Sequence, residues 1–198
     1  MKLIGIVGSP RPKGNSFHLI REALSTAAEV ASVECLKLSD FVISPCRACE
    51  SCGQPPFQCV LDDDFGKVLD QLRKADGLLL ASPRYGPFGA SPSGLQAFLE
   101  RLMNVSFLPK QTNPDFIPPL SNKPCGLLAV SVEGGQNNLP VLHSLEQYVL
   151  AYGMRVVHIP RWPFVGVSGK GNAEGDVLQH TEAIDNARVL GRLVVGAL

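Results

Sequence analysis

Two groups of residues in this 198-residue chain have types and spacing that could do chemistry. The first is the loop 8–16, rich in glycine and in hydroxyl and amide side chains, between an apolar run and a helical pattern. The second is a set of four cysteines, Cys46, Cys49, Cys52 and Cys59, with the spacing C-x2-C-x2-C-x6-C. The first group indicates a site for an anion, and the second indicates a metal or redox site.

The loop 8–16 has the composition of a phosphate site. A strand that ends in such a turn and then opens a helix presents backbone N–H groups without partners, and the helix dipole adds positive potential there. Ser9, Asn15 and Ser16 supply polar side chains, with Arg11 and Lys13 at the mouth of the loop. This set suits a single terminal monophosphate.

Two common phosphate loops do not fit. A Walker loop requires G-x-x-x-x-G-K-[ST], but Gly8 and Gly14 stand one residue too far apart and Asn15 replaces the lysine. Gly5 and Gly8 do not give the G-x-G-x-x-G of a dinucleotide site either. A nucleoside triphosphate and a tightly held NAD or FAD are therefore disfavoured. The plain alternative, an N-capped helix after a glycine turn, would need only one hydroxyl.

Hydrophobic periodicity predicts strands and helices in alternation. The predicted strands are 2–7, 31–38, 77–81, 125–131 and 154–160; the predicted helices are 16–29, 65–72, 95–102, 139–152 and 181–195; 104–123 and 163–175 are predicted loops. This alternation predicts one three-layer α/β domain over 1–198, with a doubly wound five-stranded parallel sheet in the order 2-1-3-4-5 and a cysteine-rich insertion at about 44–60. The turns after strands one, three and four would then converge on one crevice.

Composition and charge disfavour nucleic acid and membranes as partners. Lys plus Arg and Asp plus Glu each number 18, so no basic surface excess favours nucleic acid as a partner. We expect no signal peptide, and no apolar run approaches the ~18 residues of a membrane helix. The predicted compartment is the cytoplasm, where cysteines are more often metal-binding or redox-active than disulfide-bonded.

The four closely spaced cysteines leave three readings open. Short spacings let three thiolates in one turn converge on one face of an iron–sulfur cluster, while the fourth closes the site. Zinc is possible, although zinc sites usually pair two C-x2-C knuckles that lie farther apart in sequence. The third reading is a loop without metal. Cys35 and Cys125 fall in strand patterns and are predicted to be buried apolar residues.

Three stretches, in order along the chain, carry a family resemblance. They are Gly8-Ser9-Pro10-Arg11 with Gly14-Asn15-Ser16; Pro45-Cys46 through Cys59 with Asp62-Asp63; and Ala81-Ser82-Pro83-Arg84-Tyr85 with Gln96-Ala97-Phe98-Leu99-Glu100-Arg101. In this order the chain resembles the flavodoxin-like NAD(P)H-dependent FMN reductases, and within them the iron–sulfur flavoproteins. The resemblance implies FMN, NAD(P)H as a transient electron donor, and one [4Fe–4S] cluster on the four cysteines.

The resemblance also assigns flavin contacts. It implies phosphate binding by Ser9, Arg11, Gly14, Asn15 and Ser16, ring packing by Pro83, Arg84, Tyr85 and Gly86, and a pyrimidine edge lined by Val132, Glu133, Gly134, Gly135 and Gln136. Glycines in the last group let backbone amides approach closely, and the positive end of the next helix would stabilise negative charge on the reduced flavin.

Two features depart from the family pattern. Arg84 stands where the family usually has an aliphatic residue, and the stretch 86–94 is about two residues longer than usual. Arg84 could attract a nucleotide phosphate or be a solvated surface charge. Tyr85 could stack on the flavin or be an ordinary loop aromatic.

The predicted activity is centred on the flavin. The four histidines are scattered, and no acid–base constellation appears, which fits chemistry carried by a cofactor. We expect an FMN-dependent oxidoreductase that passes electrons between FMN and a [4Fe–4S] cluster or an external acceptor. The alternatives are a cluster-free NAD(P)H-dependent FMN or quinone reductase and a non-catalytic redox-sensing or metal-binding module. Expected partners are a small-molecule or protein redox partner and further copies of the chain in a homodimer or homotetramer.

Overall fold

Strands and helices alternate along most of the chain, as the hydrophobic pattern predicts. A computed structural model describes residues 1–86 and 89–198. The strands are β1 (Lys2–Val7), β2 (Ser32–Lys37), β3 (Gly77–Pro83), β4 (Pro124–Ser131), β5 (Arg155–Val156) and β6 (Val167–Lys170). The helices are α1 (Asn15–Ala27), α2 (Phe65–Arg73), α3 (Ser93–Phe107), α4 (Pro109–Thr112), α5 (Leu139–Ala151) and α6 (Thr181–Gly196).

The sheet is parallel throughout and has the predicted order. Its strands run β2-β1-β3-β4-β5, and β6 also pairs with β4. Because β3 occupies one edge of β4, β5 and β6 share the other edge, one after the other. The carboxyl ends of β1, β3 and β4 therefore lie side by side.

The fifth strand differs from the prediction because it is split. Only Arg155–Val156 of the predicted 154–160 is strand, and Val167–Lys170 falls in the predicted loop 163–175. Pro160 and Pro163 have no backbone N–H to donate to a ladder, so the chain leaves the sheet between the two pieces. The second piece contains Ser168 and Gly169, residue types with weak strand preference, and the sequence pattern misses it for that reason.

The predicted loop 104–123 is also wrong in part. Helix α3 continues to Phe107, and the short helix α4 follows at once. Val105 is buried and lies three residues after the buried Leu102, so the helix extends along the same apolar face. Pro109 starts the next helical turn, where its missing N–H costs nothing.

Apolar side chains cover both faces of the sheet. Phe65, Phe98 and Leu145 from α2, α3 and α5 belong to the cluster on one face. Leu19 and Leu190 from α1 and α6 belong to the cluster on the other. Every residue of β4 is buried between the two clusters, which accounts for its continuous apolar sequence.

The two cysteines outside the insertion lie in strands, as predicted. Cys125 is 1% exposed, and burial raises the pKa of its thiol to about 12. Cys35 is only partly buried, and burial raises the pKa of its thiol. Neither thiol lines the site described below.

A search of the described helices for bilayer spans finds none with both the length and the apolar character required.

The contact between α1 and α6 depends on one glycine. A Cβ at Gly191 would clash with the Ala23 carbonyl oxygen and lie 2.8 Å from Thr26 Oγ1. We expect Gly191→Ala to lower the free energy of unfolding by about 1–3 kcal/mol, the usual cost of overpacking, in urea titrations. Gly196→Ala is the control, since a Cβ there meets nothing within 4 Å. Equal stability of the two variants would contradict this account of the packing.

Candidate functional site

Loops that follow adjacent strands line one cleft at the carboxyl edge of the sheet. The cleft has a volume of about 280 Å³. Its lining residues are Ser9, Arg11, Gly14, Asn15, Ser16, Pro83, Arg84, Tyr85, Gly86, Val130, Ser131, Val132, Gly171 and Asn172. The structure thus brings the predicted phosphate loop, the predicted ring loop and Val132 to one place. Glu133, Gly134, Gly135 and Gln136 are not among the residues that line it.

Close packing shapes the first loop. Gly14 caps α1 in extended conformation, and a Cβ there would lie 2.7 Å from Ser9 Oγ. Ser9 Oγ accepts a hydrogen bond from the Arg11 backbone N–H at 3.2 Å. Glycine at this position lets the turn close tightly over the start of the helix.

Ser16 carries an unsatisfied buried hydroxyl. The residue is 1% exposed, and its Oγ has no hydrogen-bond partner among the described residues. Leaving a buried polar atom without a partner costs about 1–3 kcal/mol, so such an atom calls for an explanation. Ser16 lies in the first turn of α1 and lines the cleft, where the helix dipole favours an anion. An oxyanion such as phosphate would accept a hydrogen bond from this hydroxyl.

The Asn15 side chain makes contacts that the sequence did not predict. Its Nδ2 donates to the Ala173 carbonyl at 2.8 Å, and its Oδ1 accepts from the Val177 N–H at 3.2 Å. Both ends of the amide therefore fasten the loop after β6 to α1. The Asn15 backbone N–H, at the start of the helix, has no partner within the helix.

The loop after β6 supplies two cleft residues that the sequence analysis missed. Arg11 Nη1 donates to the Asn172 carbonyl at 3.0 Å. A Cβ on Gly171 would lie 2.7 Å from Asn15 Nδ2, so this close approach requires glycine. The sequence pattern did not indicate them, because β6, the strand that this loop follows, lies within the predicted loop 163–175.

The loop after β3 turns back on itself beside the cleft. The Tyr85 and Ala90 backbones exchange hydrogen bonds of 2.8 and 3.0 Å. The Tyr85 side chain is 44% exposed and borders the cleft, so its ring is accessible to a planar ligand. Of the lengthened stretch 86–94, residues 87 and 88 lie outside the described residues.

An ion pair joins the loops on the two sides of the cleft. Arg84 Nη1 lies 3.3 Å from Glu133 Oε2, with side-chain exposures of 17% and 58%. Arg84 is therefore mostly shielded from water, which disagrees with its reading as a solvated surface charge. The Glu133 carboxylate accepts a hydrogen bond from this guanidinium.

The glycine pair after β4 adopts conformations that favour glycine. Gly134 has φ 66° and ψ −157°, and Gly135 has φ 57°. The Gly134 N–H donates to Ser131 Oγ at 2.9 Å. The Gly135 carbonyl accepts from Ser168 Oγ at 2.8 Å, while Gln136 is exposed. These bonds hold the turn against β4 and β6 at the rim of the cleft.

The four predicted metal ligands share a second cavity. Cys46, Cys49, Cys52 and Cys59 all line a space of about 100 Å³ beside α3. Over residues 1–86 and 89–198, no three histidine, cysteine, aspartate or glutamate side chains are arranged to hold a metal ion. A tetrahedral zinc site would need sulfurs about 3.8 Å apart, given Zn–S bonds of about 2.3 Å. In a cubane cluster each cysteine sulfur binds a different iron, so the four sulfurs must lie farther apart than in a zinc site.

Polar N–H groups surround the sulfur atoms. Cys46 Sγ accepts from Asn104 Nδ2 at 3.2 Å and from the Ala48 N–H at 3.4 Å. Arg101 Nη2 lies 3.2 Å from Cys59 Sγ and donates to it. Donors of this kind stabilise anionic sulfur, whether thiolate or cluster ligand.

The turn that carries the cysteines is conformationally strained. Ala48 has φ 50° and Glu50 has φ 57°, in the left-handed region that disfavours side chains with a Cβ. Backbone strain of this kind is typical of ligand-clamping turns.

The surroundings of Cys52 disfavour its thiolate. Burial raises the pKa of Cys52, and nearby negative charge on Cys59 raises it further. A bound cation would reverse that repulsion, because metal binding favours the thiolate.

A buried ion pair fixes the insertion to the core. Arg101 Nη1 lies 2.6 Å from Asp63 Oδ2, with side-chain exposures of 1% and 5%. Burial alone would raise the pKa of Asp63, but hydrogen bonds from Arg101 and from the N–H groups of Ser44 and Phe65 outweigh it and lower the pKa to about 2. The carboxylate therefore stays charged and joins α3, the insertion and the start of α2.

This carboxylate makes a pH-dependent contribution to stability. Its folded pKa lies below the ordinary value of 3.8, so the contribution is present at neutral pH and is lost as pH falls from about 4 to about 2. We expect Asp63→Asn to lower the free energy of unfolding by about 3–5 kcal/mol, because Arg101 is left buried without its counter-charge. Urea titrations at neutral pH and at about pH 3 measure both effects.

Asp70→Asn is the matched control for that prediction. Asp70 pairs with Arg73 at 2.8 Å, but both side chains are well exposed, at 62% and 41%. Exposed pairs contribute about 0–1 kcal/mol. An Asp63→Asn variant as stable as Asp70→Asn, or with undiminished acid sensitivity, would show that the buried pair does not anchor the insertion.

Comparison with known proteins places this geometry in a family. Residues 1–168 match the model of the family described as NADPH-dependent FMN reductase. An iron–sulfur flavoprotein of Methanocaldococcus jannaschii is 36% identical over 199 residues, which cover 98% of this chain and 95% of the relative. An iron–sulfur flavoprotein of Methanosarcina thermophila is 34% identical over 160 residues, covering 79% of this chain and 77% of the relative.

Solved structures show the same fold. A flavodoxin from Bacillus cereus superimposes with a TM-score of 0.62 at 15% identity, covering 100% of this chain and 99% of that one. The strand order 2-1-3-4-5 with helices on both faces is therefore the flavodoxin-like fold, as the sequence predicted. Together with the match over residues 1–168, this confirms that the chain belongs to the NADPH-dependent FMN reductase family and is an NAD(P)H-dependent FMN oxidoreductase.

Proposed function

We propose that this oxidoreductase passes electrons between FMN and a [4Fe–4S] cluster held by Cys46, Cys49, Cys52 and Cys59, and from there to an external acceptor. The observation that carries the proposal is the single cavity lined by all four cysteines, with N–H donors directed at two of the sulfurs. The names of the iron–sulfur flavoprotein relatives agree with it.

The chain's own residues provide the flavin site in this proposal. When bound, FMN supplies hydride acceptance and electron release. Ser9, Ser16 and the backbone N–H groups at the start of α1 hold the phosphate, and Arg11 adds positive charge at the mouth. Pro83 and Tyr85 pack on the ring. Arg84 and Glu133 hold the two ring loops at a fixed separation.

The phosphate assignment can be tested with a charge at Ser16. A carboxylate near a helix N-terminus does not oppose helix formation, so Ser16→Asp should fold. It should repel the FMN phosphate and weaken FMN binding at least tenfold, about 1.4 kcal/mol, in fluorescence titrations. Ser16→Asn, of similar shape and no charge, should lose much less.

Riboflavin, which lacks the phosphate, sharpens this test. Its affinity should be similar for the Ser16→Asp and Ser16→Asn variants, because no phosphate meets the carboxylate. Equal weakening of FMN and riboflavin by Ser16→Asp would indicate general damage to the cleft. Unchanged FMN affinity would contradict the phosphate assignment.

The cysteine cavity fits a thiolate-ligated cluster in its donor set. All four cysteines line one space, Cys52 is buried, and amide and guanidinium N–H groups donate to Cys46 and Cys59. A cluster with thiolate ligands needs N–H donors of this kind to offset its negative charge. A cluster held there would supply one-electron transfer.

A second function, that of a cluster-free NAD(P)H-dependent FMN or quinone reductase, is also compatible with the cysteine loop. In the part of the chain that the structure describes, the cysteines are not arranged to bind one metal ion. In this case, the insertion would be a structural or redox-sensing loop, and the flavin cleft alone would carry the activity.

Anaerobic purification with an absorbance spectrum and iron and sulfide analysis separates these functions. The proposal predicts flavin bands together with about four irons and four sulfides per chain. Cys59→Ser should lower the iron content sharply, whereas Cys35→Ser in β2 should leave it unchanged. Flavin without iron in protein kept from oxygen would establish the cluster-free reductase instead.

A further inference from the structure

A fully buried cation lies against the cysteine cavity. Arg101 is 1% exposed, although arginine is almost never fully buried unless it is paired. It projects from α3 and borders both the cysteine cavity and a neighbouring cavity of about 140 Å³ that also reaches Cys59. Burying a charge is costly, and Arg101 meets this cost by pairing with Asp63 while it borders the cysteine cavity.

The contacts of the guanidinium divide between an anion, a ring and a sulfur. One nitrogen, Nη1, lies 2.6 Å from Asp63 Oδ2 and 3.3 Å from the Ser44 carbonyl oxygen. The other, Nη2, donates to Cys59 Sγ at 3.2 Å. The carbon Cζ lies 4.3 Å from the centre of the Phe65 ring. Nε has no hydrogen-bond partner among the described residues.

These contacts leave the cation oriented toward Cys59. Phe65 and Asp63 hold the guanidinium plane, so the direction of the Nη2–H group is fixed before any electron arrives. The guanidinium does not lose its proton in proteins, so its charge stays constant while the state of the sulfur changes. Buried charges are screened little by salt, and their effect on a neighbour is large.

Resting on the proposed function, we infer that Arg101 is a positioning residue that raises the reduction potential at the cysteine site. It does so by donating to Cys59 Sγ and by placing a permanent positive charge beside the four sulfurs. Reduction adds one electron from the flavin that NAD(P)H has reduced, breaks no bond and moves no proton at Arg101. Because the site becomes more negative, a fixed cation favours the reduced state.

Asn104 provides an internal comparison. It lies one helical turn beyond Arg101, and its Nδ2 donates to Cys46 Sγ at the same distance of 3.2 Å. Net charge and hydrogen bonds to the sulfurs both affect the potentials of such sites. Arg101 combines the two effects, whereas Asn104 supplies only the hydrogen bond. Variants of the two residues therefore separate the effect of the charge on the reduction potential from the effect of the hydrogen bond.

Potentiometric titration of the anaerobically purified, iron-loaded full chain, followed by electron paramagnetic resonance, tests the inference. Arg101→Gln should make the one-electron reduction at least tenfold less favourable, a shift of about 59 mV to lower potential. Arg101→Lys keeps a charge but loses the fixed donor to Cys59, so it should shift the potential in the same direction by less. Asn104→Leu should also shift it by less than Arg101→Gln.

Lys110→Met is the charge control. Lys110 is an exposed cation on α4, so its removal should leave the potential unchanged. Circular dichroism establishes that each variant is folded. Should Arg101→Gln not fold, Arg101→Lys decides the matter, and a potential equal to that of the wild type overturns the inference.

The outcomes distinguish this inference from the function on which it rests. A wild-type chain that holds no iron after anaerobic preparation overturns both. A wild-type chain that holds iron, with potentials unchanged in the Arg101 variants, overturns the inference alone. In that case Arg101 only fastens the insertion through Asp63, and its replacement would lower stability without moving the potential.

Discussion

The carboxyl ends of β1, β3 and β4 lie side by side, and the cleft depends on that adjacency. In a parallel sheet, the loops that leave the carboxyl ends of the strands all lie at this edge. The start of α1, the turn at Tyr85 and Val132 after β4 therefore line the same cleft. The fourth contributor, the loop after β6, is fastened to the same place by the Asn15 amide.

The cysteine insertion depends on a different constraint, the buried pair of Arg101 and Asp63. The insertion has strained turns at Ala48 and Glu50, and the guanidinium of Arg101 also donates to the Ser44 carbonyl where the insertion begins. The ion pair holds the insertion against α3, and breaking this pair would lower the free energy of unfolding. It also couples stability to the sulfur site, because the same guanidinium that pairs with Asp63 donates to Cys59.

Unsatisfied buried polar atoms connect the fold to its chemistry. Ser16 Oγ in the cleft and Arg101 Nε beside the cysteines have no hydrogen-bond partner among the described residues, although both are buried. Native proteins rarely leave such atoms unpaired, and these two border the flavin cleft and the cysteine cavity. The two sites are lined by different residues: hydroxyl and N–H groups at the start of a helix in one, and four cysteines beside a buried cation in the other.

The sequence by itself determined the alternation of elements, the strand order, the glycine and hydroxyl-rich loop after β1 and the cysteine spacing. These depend on local signals: periodicity, glycine and hydroxyl residues after a strand, and the distances between cysteines along the chain. Only the tertiary structure decided the split fifth strand, the extension of α3, the role of the Asn15 side chain and the place of Gly171 and Asn172 in the cleft. It also decided that Arg101 pairs with Asp63, 38 residues away, and reaches Cys59. Contacts between residues distant in sequence depend on how the layers pack, and no local pattern carries that information.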